Sequence, residues 1–566
     1  MALNGIDMSS IPTVASQLRA RLGDDRMGYV LDDERYTWHE VALQSAVRGA
    51  MLRELLRPGI PHIGVLLENT PEYLLLAGGA AFAGGTIVGV NPTRRGDELA
   101  KDIRHADCQL IITDNQSRHL LEGLDLGAVH TTLYVDSEEY RALLAKHADT
   151  PVQAPESDPS PAAPLFLLFT SGSTSAPKLV VCSTARMAIS GIRASEITGV
   201  SRDDICYSPM PLFHGNALMA LWASALHFGA PVVLRRKFSA SKFLDDIREH
   251  NATFFTYVGR TIAYILAQPE TQADAKNNLR AGFGTEASIL DRNLFEERFN
   301  CKLIESYGSS ENGVVIGLTP DSPPGSLGLP RNPADEIAVV HSETGEECER
   351  ARFDQHGALL NPTEAIGELV NKTPGQTFEG YYNNKEATET RMRGGWYWSG
   401  DLGYRDVAGF FYFAGRNADW LRVDSENFAS APIEEILRRF PGVVMVAVYA
   451  VPDPRTGDQV MAAMELTPGT SFDTAAFDSF LAEQKDLGTK WAPRFVRVAS
   501  NIPLTANNKV NKQPLRVESW LVNDPLYWRV DPGAPLQPFT SELKDSLHQK
   551  FVDNGRVSYL PAGAIS

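Results

Sequence analysis

Five short blocks of the sequence hold residue types that could do chemistry. At 167–179, LLFTSGSTSAPKL, an apolar run ends in a Ser/Thr/Gly cluster closed by Pro177 and Lys178. Such a loop can offer backbone N–H groups, hydroxyls and one ammonium to phosphate oxygens. It lacks the G-x-x-x-x-G-K-[ST] spacing, so it is not a Walker A loop. On composition alone a plain surface loop explains it as well. At 208–218, SPMPLFHGNAL, His214 stands among apolar residues, where a histidine is more often part of a core than a catalyst. At 305–313, ESYGSSENG, small residues lead to Glu311, a carboxylate able to share Mg²⁺ with a phosphate, or to sit in a solvated turn. At 396–406, WYWSGDLGYRD, and 409–416, GFFYFAGR, Asp401 and Arg416 could hold ribose hydroxyls or form a structural ion pair. At 503–516, PLTANNKVNKQPLR, a turn carries Lys509, and a turn lysine is nearly always a solvated charge.

These blocks need scaffolding, and the sequence supplies it in a repeated grammar. HIGVLLENTPEYLLLAG, LIITDNQSRHLLEGL and PVVLRRKFSASKFLDDIREH each run from an aliphatic stretch through a turn into a helical period, which predicts α/β layering. Asn69-Thr70-Pro71-Glu72 reads as a helix start with cap, early proline and acidic first turn. Residues 73–90 are long and apolar enough to suggest a membrane span. Two Gly-Gly pairs and the shift to TIVGV predict instead a buried helix, a turn at Gly84-Gly85 and a strand. The Pro-rich 150–164 reads as an exposed connection, and short strand-like pieces from about 325 predict a β-rich subdomain. The expected fold is α/β: a large N-terminal domain (1–415) of layered subdomains plus the β-rich one, a small mobile α+β domain (416–518), and a C-terminal extension with one helix (519–566).

A length of 566 residues excludes a single small binding module. Acidic residues outnumber basic ones, 70 to 53, so no broad basic surface for nucleic acid is expected. Five scattered cysteines without a C-x-x-C pair fit free thiols in a reducing, cytoplasmic setting and indicate neither zinc nor a disulfide framework. The start of the chain has no secretory pattern. No transmembrane segment is expected, while peripheral membrane contact and a homodimer stay open.

In order and spacing the blocks resemble the adenylate-forming superfamily, which includes acyl-CoA synthetases, luciferases and peptide-synthetase adenylation domains. The likeness runs from ENTPEYLL and VGVNPT through PLFH, YGSSE, WSGDLG and GR to NNKVNK. FFTYVGRTIAYIL and GRNADWLRVDSENFASAPIEEIL look most like the bacterial fatty-acid-transport-protein and very-long-chain acyl-CoA synthetase branch. The resemblance implies a two-step ligase: a carboxylate attacks ATP to give acyl-AMP, then coenzyme A displaces AMP. It implies a phosphate loop of Thr170, Ser171, Gly172, Ser173, Thr174 and Lys178, with Mg²⁺ held by Glu311 and Thr170. Gly284, Thr285, Glu286 and Ala287 would line the adenine with Tyr307, Gly308 and Phe413, next to Ser309 and Ser310. Asp401 and Arg416 would take the ribose. His214, Asn216, Met219, Tyr257, Val258 and Gly259 would border the acid, and Ser425, Glu426 and Asn427 the thiol channel. Lys509 would serve adenylation and then leave as the small domain rotates.

Three positions where the family usually has glycine carry Ser175, Ser425 and Asn508, and Asp424 adds charge near the expected thiol channel. These departures keep two rivals alive: transfer to an amine or a carrier-protein thiol, and a catalytically silent acyl- or nucleotide-binding protein. The acid expected on the branch resemblance is a fatty or other bulky apolar carboxylate.

Overall fold

The computed structural model describes residues 11–561 except 171–177, 356–358, 375–377, 417–419, 424–425, 456, 489 and 506–508. Residues Ser171, Gly172, Ser173, Thr174, Ser175, Ala418, Asp424, Ser425 and Asn508 therefore lie outside the described residues.

The apolar stretch at 73–90 folds as its glycines dictate. Strand His62–Leu66 leads into helix Pro71–Ala83, and strand Thr86–Gly89 returns beside it in parallel. Pro71 takes the first turn, where its missing N–H has no partner to lose. Gly84 ends the helix with φ +73, a left-handed backbone that a side chain disfavours. The helix is buried nearly all round, which explains its hydrophobicity without a bilayer. Among the described residues no helix is long and apolar enough to cross a membrane.

Two large sheets form the N-terminal part. A six-stranded sheet places strands 131–134, 110–113, 62–66, 86–89, 164–170 and 178–183 side by side, closing on the antiparallel hairpin of Pro164–Thr170 and Lys178–Ser183. The nine-stranded sheet has at its centre the parallel strands Lys302–Tyr307, Ala281–Thr285, Phe254–Val258 and Cys206–Ser208. Open sheets of this kind bind ligands beyond the carboxyl ends of their strands. Here those ends are Tyr307, Thr285 and Val258. The expected β-rich unit is a five-stranded sheet between Ile337 and Arg416.

The C-terminal part is a second five-stranded sheet starting with strands Val443–Pro452 and Asp458–Leu466. Segment 519–561, expected to be an appended piece with one helix, is built into this unit. Its strands Leu526–Trp528 and Gln537–Pro538 extend the sheet, and Phe551 of helix Ser541–Asp553 packs in one apolar cluster with Trp520, Trp528 and Phe495. That cluster also takes in Ala263, with Tyr264 and Ala267 packed against it, so helix Gly259–Leu266 of the large part seats the small one.

Candidate active site

A cleft of about 1490 Å³ opens between the two parts. Thr170 and Lys178 reach it from the hairpin, residues 285–287 and 307–311 from the ends of parallel strands, and Asp401 and Phe413 from the β-rich sheet. Lys509 enters from the C-terminal side. Four of the five sequence blocks that were ambiguous one by one thus meet at this cleft, while the 208–218 block does not line it.

The 284–287 segment is shaped by close packing. A Cβ on Gly259 would lie 1.9 Å from the Glu286 carbonyl oxygen, so only glycine lets the next helix start there. Glu286 itself has φ +70, a strained conformation for a side chain and typical of functional loops. Beneath it, Glu305 Oε1 accepts from the Ala287 N–H and from the Tyr257 hydroxyl, each at 3.0 Å. Burial raises the Glu305 carboxyl from 4.5 to about 7, against the lowering influence of Arg292 and these two donors.

This shift carries a stability prediction. The folded pKa lies above the unfolded one, so the contribution is fully present below the ordinary carboxyl range and is lost as pH rises through 7. The thermal midpoint should fall from pH 5 to 8 by an amount worth at most roughly 3 kcal/mol, and Glu305→Gln should flatten that slope. Scanning fluorimetry across that range checks it; equal slopes for both proteins would refute the assignment.

At the other side of the cleft the Tyr307 hydroxyl donates to Asp401 Oδ2 at 2.6 Å, and its ring lies 6.1 Å from that of Phe413. Burial and the neighbouring carboxylate push the Tyr307 pKa well above its ordinary value, so the phenol stays a donor. Asp401 and Arg416 face each other across neighbouring antiparallel strands.

The end expected to take phosphate is a chain of polar contacts. Thr170 and Lys178 are cross-strand partners, and the Lys178 Nζ lies 5.2 Å from the Tyr381 ring centroid. Tyr381 donates to Glu311 Oε1 at 2.7 Å and accepts from Arg391 Nε at 3.3 Å. Burial and Arg391 lower the Lys178 pKa, with Glu311 opposing them. Arg186 holds the carbonyl of Ser310 from behind. Lys509 lies across the cleft, its Nζ 2.6 Å from Glu286 Oε1. Its turn is braced by Thr505, whose N–H donates to the Lys509 carbonyl at 2.7 Å and whose hydroxyl accepts from the Lys509 N–H at 3.2 Å. Glu426 and Asn427 lie on a two-stranded ribbon, opposite Val423 and Arg422.

The residues expected around the acid divide into two groups. His214 is buried, with its ring 4.3 Å from Phe213, and precedes a π-helix, Asn216–Trp222. Such helices often occur at functional sites. Asn216 Nδ2 donates to the Tyr257 carbonyl at 3.3 Å, while Met219 and Val258 pack with the π-helix residues Leu218 and Leu221. Gly215 connects this region to the cleft, because a Cβ there would meet Ser310 Oγ at 3.3 Å and Met219 Sδ at 3.5 Å. Tyr257 forms the other group. Strand alternation sends its side chain to the opposite face, among Phe255 and Phe295, where it serves Glu305 rather than the acid. The same alternation puts Thr256 beside Val258's face. Its hydroxyl and that of Ser208 are fully buried with no hydrogen-bond partner among the described residues.

Several supporting residues are invisible to motif reasoning. Asn69 was read as part of a helix cap. Its amide instead bridges the Met210 carbonyl and the Leu212 N–H, both at 2.8 Å, and so fixes the loop carrying His214. Tyr381, Arg391 and Arg186 hold candidate-site residues from outside the motif blocks, and Glu305, the first residue of the 305–313 block, had been given no role.

Residues 17–382 match the family described as AMP-binding enzyme, and residues 432–509 match the AMP-binding enzyme C-terminal domain. This chain belongs to the AMP-binding enzyme family. The steroid-22-oyl-CoA synthetase of Rhodococcus jostii (strain RHA1) is 52% identical over 552 residues, covering 97% of this chain and 99% of that protein. The medium/long-chain-fatty-acid–CoA ligase FadD17 of Mycobacterium tuberculosis is 44% identical, covering 91% and 98%. The crystal structure of the anthranilate CoA ligase AuaEII with anthranoyl-AMP superposes with a TM-score of 0.80 at 19% identity, covering 92% of this chain and 99% of that one, which establishes the shared fold. Within the AMP-binding enzymes this chain is an acyl-CoA synthetase, ligating an acid to coenzyme A with ATP through an acyl adenylate.

Proposed function

We propose that this acyl-CoA synthetase activates a fatty or other bulky apolar carboxylic acid, and that Lys509 is the cation serving its first step. The carrying observation is the Lys509 ammonium inside the cleft, on the residue beside the proposed adenine-lining backbone. The acid's carboxylate oxygen attacks the α-phosphorus, the bond to pyrophosphate breaks, and Lys509 offsets the negative charge that grows there. Its pairing with half-exposed Glu286 is worth about 0–1 kcal/mol, weak enough for the triphosphate to draw the ammonium away. Tyr307, Gly308, Phe413 and residues 284–287 frame the adenine, and Asp401 with Arg416 orients the ribose.

The donor set suits Mg²⁺. Glu311 offers one buried carboxylate and Thr170 one hydroxyl, and a cluster of three or more acidic, His or Cys groups is absent among the described residues. An ion held mostly by substrate phosphates needs no more protein ligands than these. When bound, it would neutralise phosphate charge. Glu311 would be aimed by the Tyr381 hydroxyl.

In the second step the coenzyme A thiol attacks the acyl carbon and AMP leaves. We place residues 416–561 as the moving body, since segment 519–561 shares the sheet and core of 443–498. The Glu426–Ala429 strand and Ser425 belong to that body and would shape the thiol path after rotation. A cytoplasmic location is supported by five buried free thiols.

The acid's apolar body belongs beside the π-helix, past Gly215. The R. jostii relative is named for a steroid acid and FadD17 for medium and long fatty acids. A panel of alkyl, alicyclic and oxygenated acids, read by pyrophosphate release and by the mass of the coenzyme A product, separates these classes. Acyl-CoA should form with bulky apolar acids; release confined to short polar acids would overturn the assignment.

A further inference from the structure

Among the described residues, polar contacts join the small part to the large one. The Tyr264 hydroxyl donates to Glu465 Oε1 at 2.8 Å, Arg260 reaches Asn501 Oδ1 at 3.3 Å, Lys509 meets Glu286, and Arg438 meets Asp291. The last two are ion pairs, and they differ in burial. The Arg438 and Asp291 side chains are 11% and 10% exposed, against 28% and 45% for Lys509 and Glu286. Arg438 and Asp291 both stand at the edge of the cleft.

Each partner is held before it meets the other. Asp291 lies in the first turn of helix Ile289–Phe299, its N–H donating to the Ser288 hydroxyl at 3.0 Å. Arg438 caps the carboxyl end of helix Ala431–Leu437, its backbone N–H returning to the Glu434 carbonyl. A carboxylate near a helix start and a cation at a helix end both suit the backbone dipoles, so each charge is tolerated by its own helix. Arg292, Glu434 and Glu435 are further charged groups at this spot.

We propose that Asp291 and Arg438 are positioning residues that latch the small part in the arrangement competent for adenylation. The latch rests on the reading that residues 416–561 alternate between two placements. In the docked placement the pair is largely out of water, and removing one partner leaves the other uncompensated there. In the swung placement both groups are solvated, so the loss costs nothing. Cutting the latch therefore shifts population away from docking and slows only the step that needs Lys509 in the cleft.

The test compares half-reactions in single preparations of full-length enzyme, so any loss of folded protein cancels in the ratio. Asp291→Asn and Arg438→Ala should each slow pyrophosphate release about tenfold or more, while thioester formation from supplied acyl-AMP and coenzyme A holds steady or quickens. Arg438→Lys, which keeps the charge, should stay within about threefold of the parent ratio. An unchanged ratio in both single variants, or an Arg438→Lys ratio as low as that of Arg438→Ala, overturns the latch. Failure of the alternation reading itself looks different: Lys509→Ala would then impair both half-reactions alike.

Discussion

Lys509→Ala should lower acid-dependent pyrophosphate release by about 10²–10³-fold, equivalent to about 2.7–4 kcal/mol, the range for losing one preorganised charge or donor at a transition state. Turnover of supplied acyl-AMP with coenzyme A should be spared, because in the proposed role the lysine acts only while the anhydride forms. The geometry explains the size. The ammonium is delivered by a turn braced through Thr505, and it already lies in the cleft, so little reorganisation precedes the reaction. Stopped-flow assays of the two half-reactions decide this; matched losses would contradict a role restricted to the first step. The Glu286 contact adds a finer expectation. Glu286→Gln removes only a half-exposed partner and should change the adenylation rate by less than tenfold.

The second large effect is expected at the opposite end of the cleft. Glu311→Gln should cut adenylation by about 10²-fold and raise the Mg²⁺ concentration giving half-maximal rate, since a charged oxygen ligand for a hard cation is lost. The substitution is nearly isosteric, and the amide oxygen can still accept from Tyr381, so folding should survive. Titrating Mg²⁺ at saturating ATP separates the two outcomes. A lowered rate with an unmoved Mg²⁺ midpoint would assign Glu311 to holding Tyr381 and Lys178 rather than to the ion.

Much of the architecture was legible because its signals are local. The buried helix and strand at 71–89 follow from Pro71, Gly84 and the length of the apolar run, none of which needs distant partners. The strand running into Thr170 and the strand end near Tyr307 were equally readable, but the returning strand Lys178–Ser183 that completes the hairpin was not. The direction of Tyr257 was not legible because a fully buried strand shows no alternation in its sequence: Phe254 to Val258 are all buried, and periodicity cannot say which side chain takes which face. The tail beyond residue 519 read as an appendage because strands of two and three residues carry almost no pattern.

The sequence by itself determined the family, the order of the site blocks and the chemistry they share, since these rest on residue types at fixed spacing along one chain. Tertiary structure alone decided how the pieces hold one another. The carboxylate of Glu305 under the 285–287 backbone, Asn69 clamping the His214 loop and Arg438 meeting Asp291 all join residues between 18 and 147 positions apart. Such contacts depend on which faces of sheets and helices are brought together, and no local periodicity encodes that. The same holds for Lys509, an ordinary turn lysine in the sequence and a cation in the reaction cleft once the small part is seated on helix Gly259–Leu266.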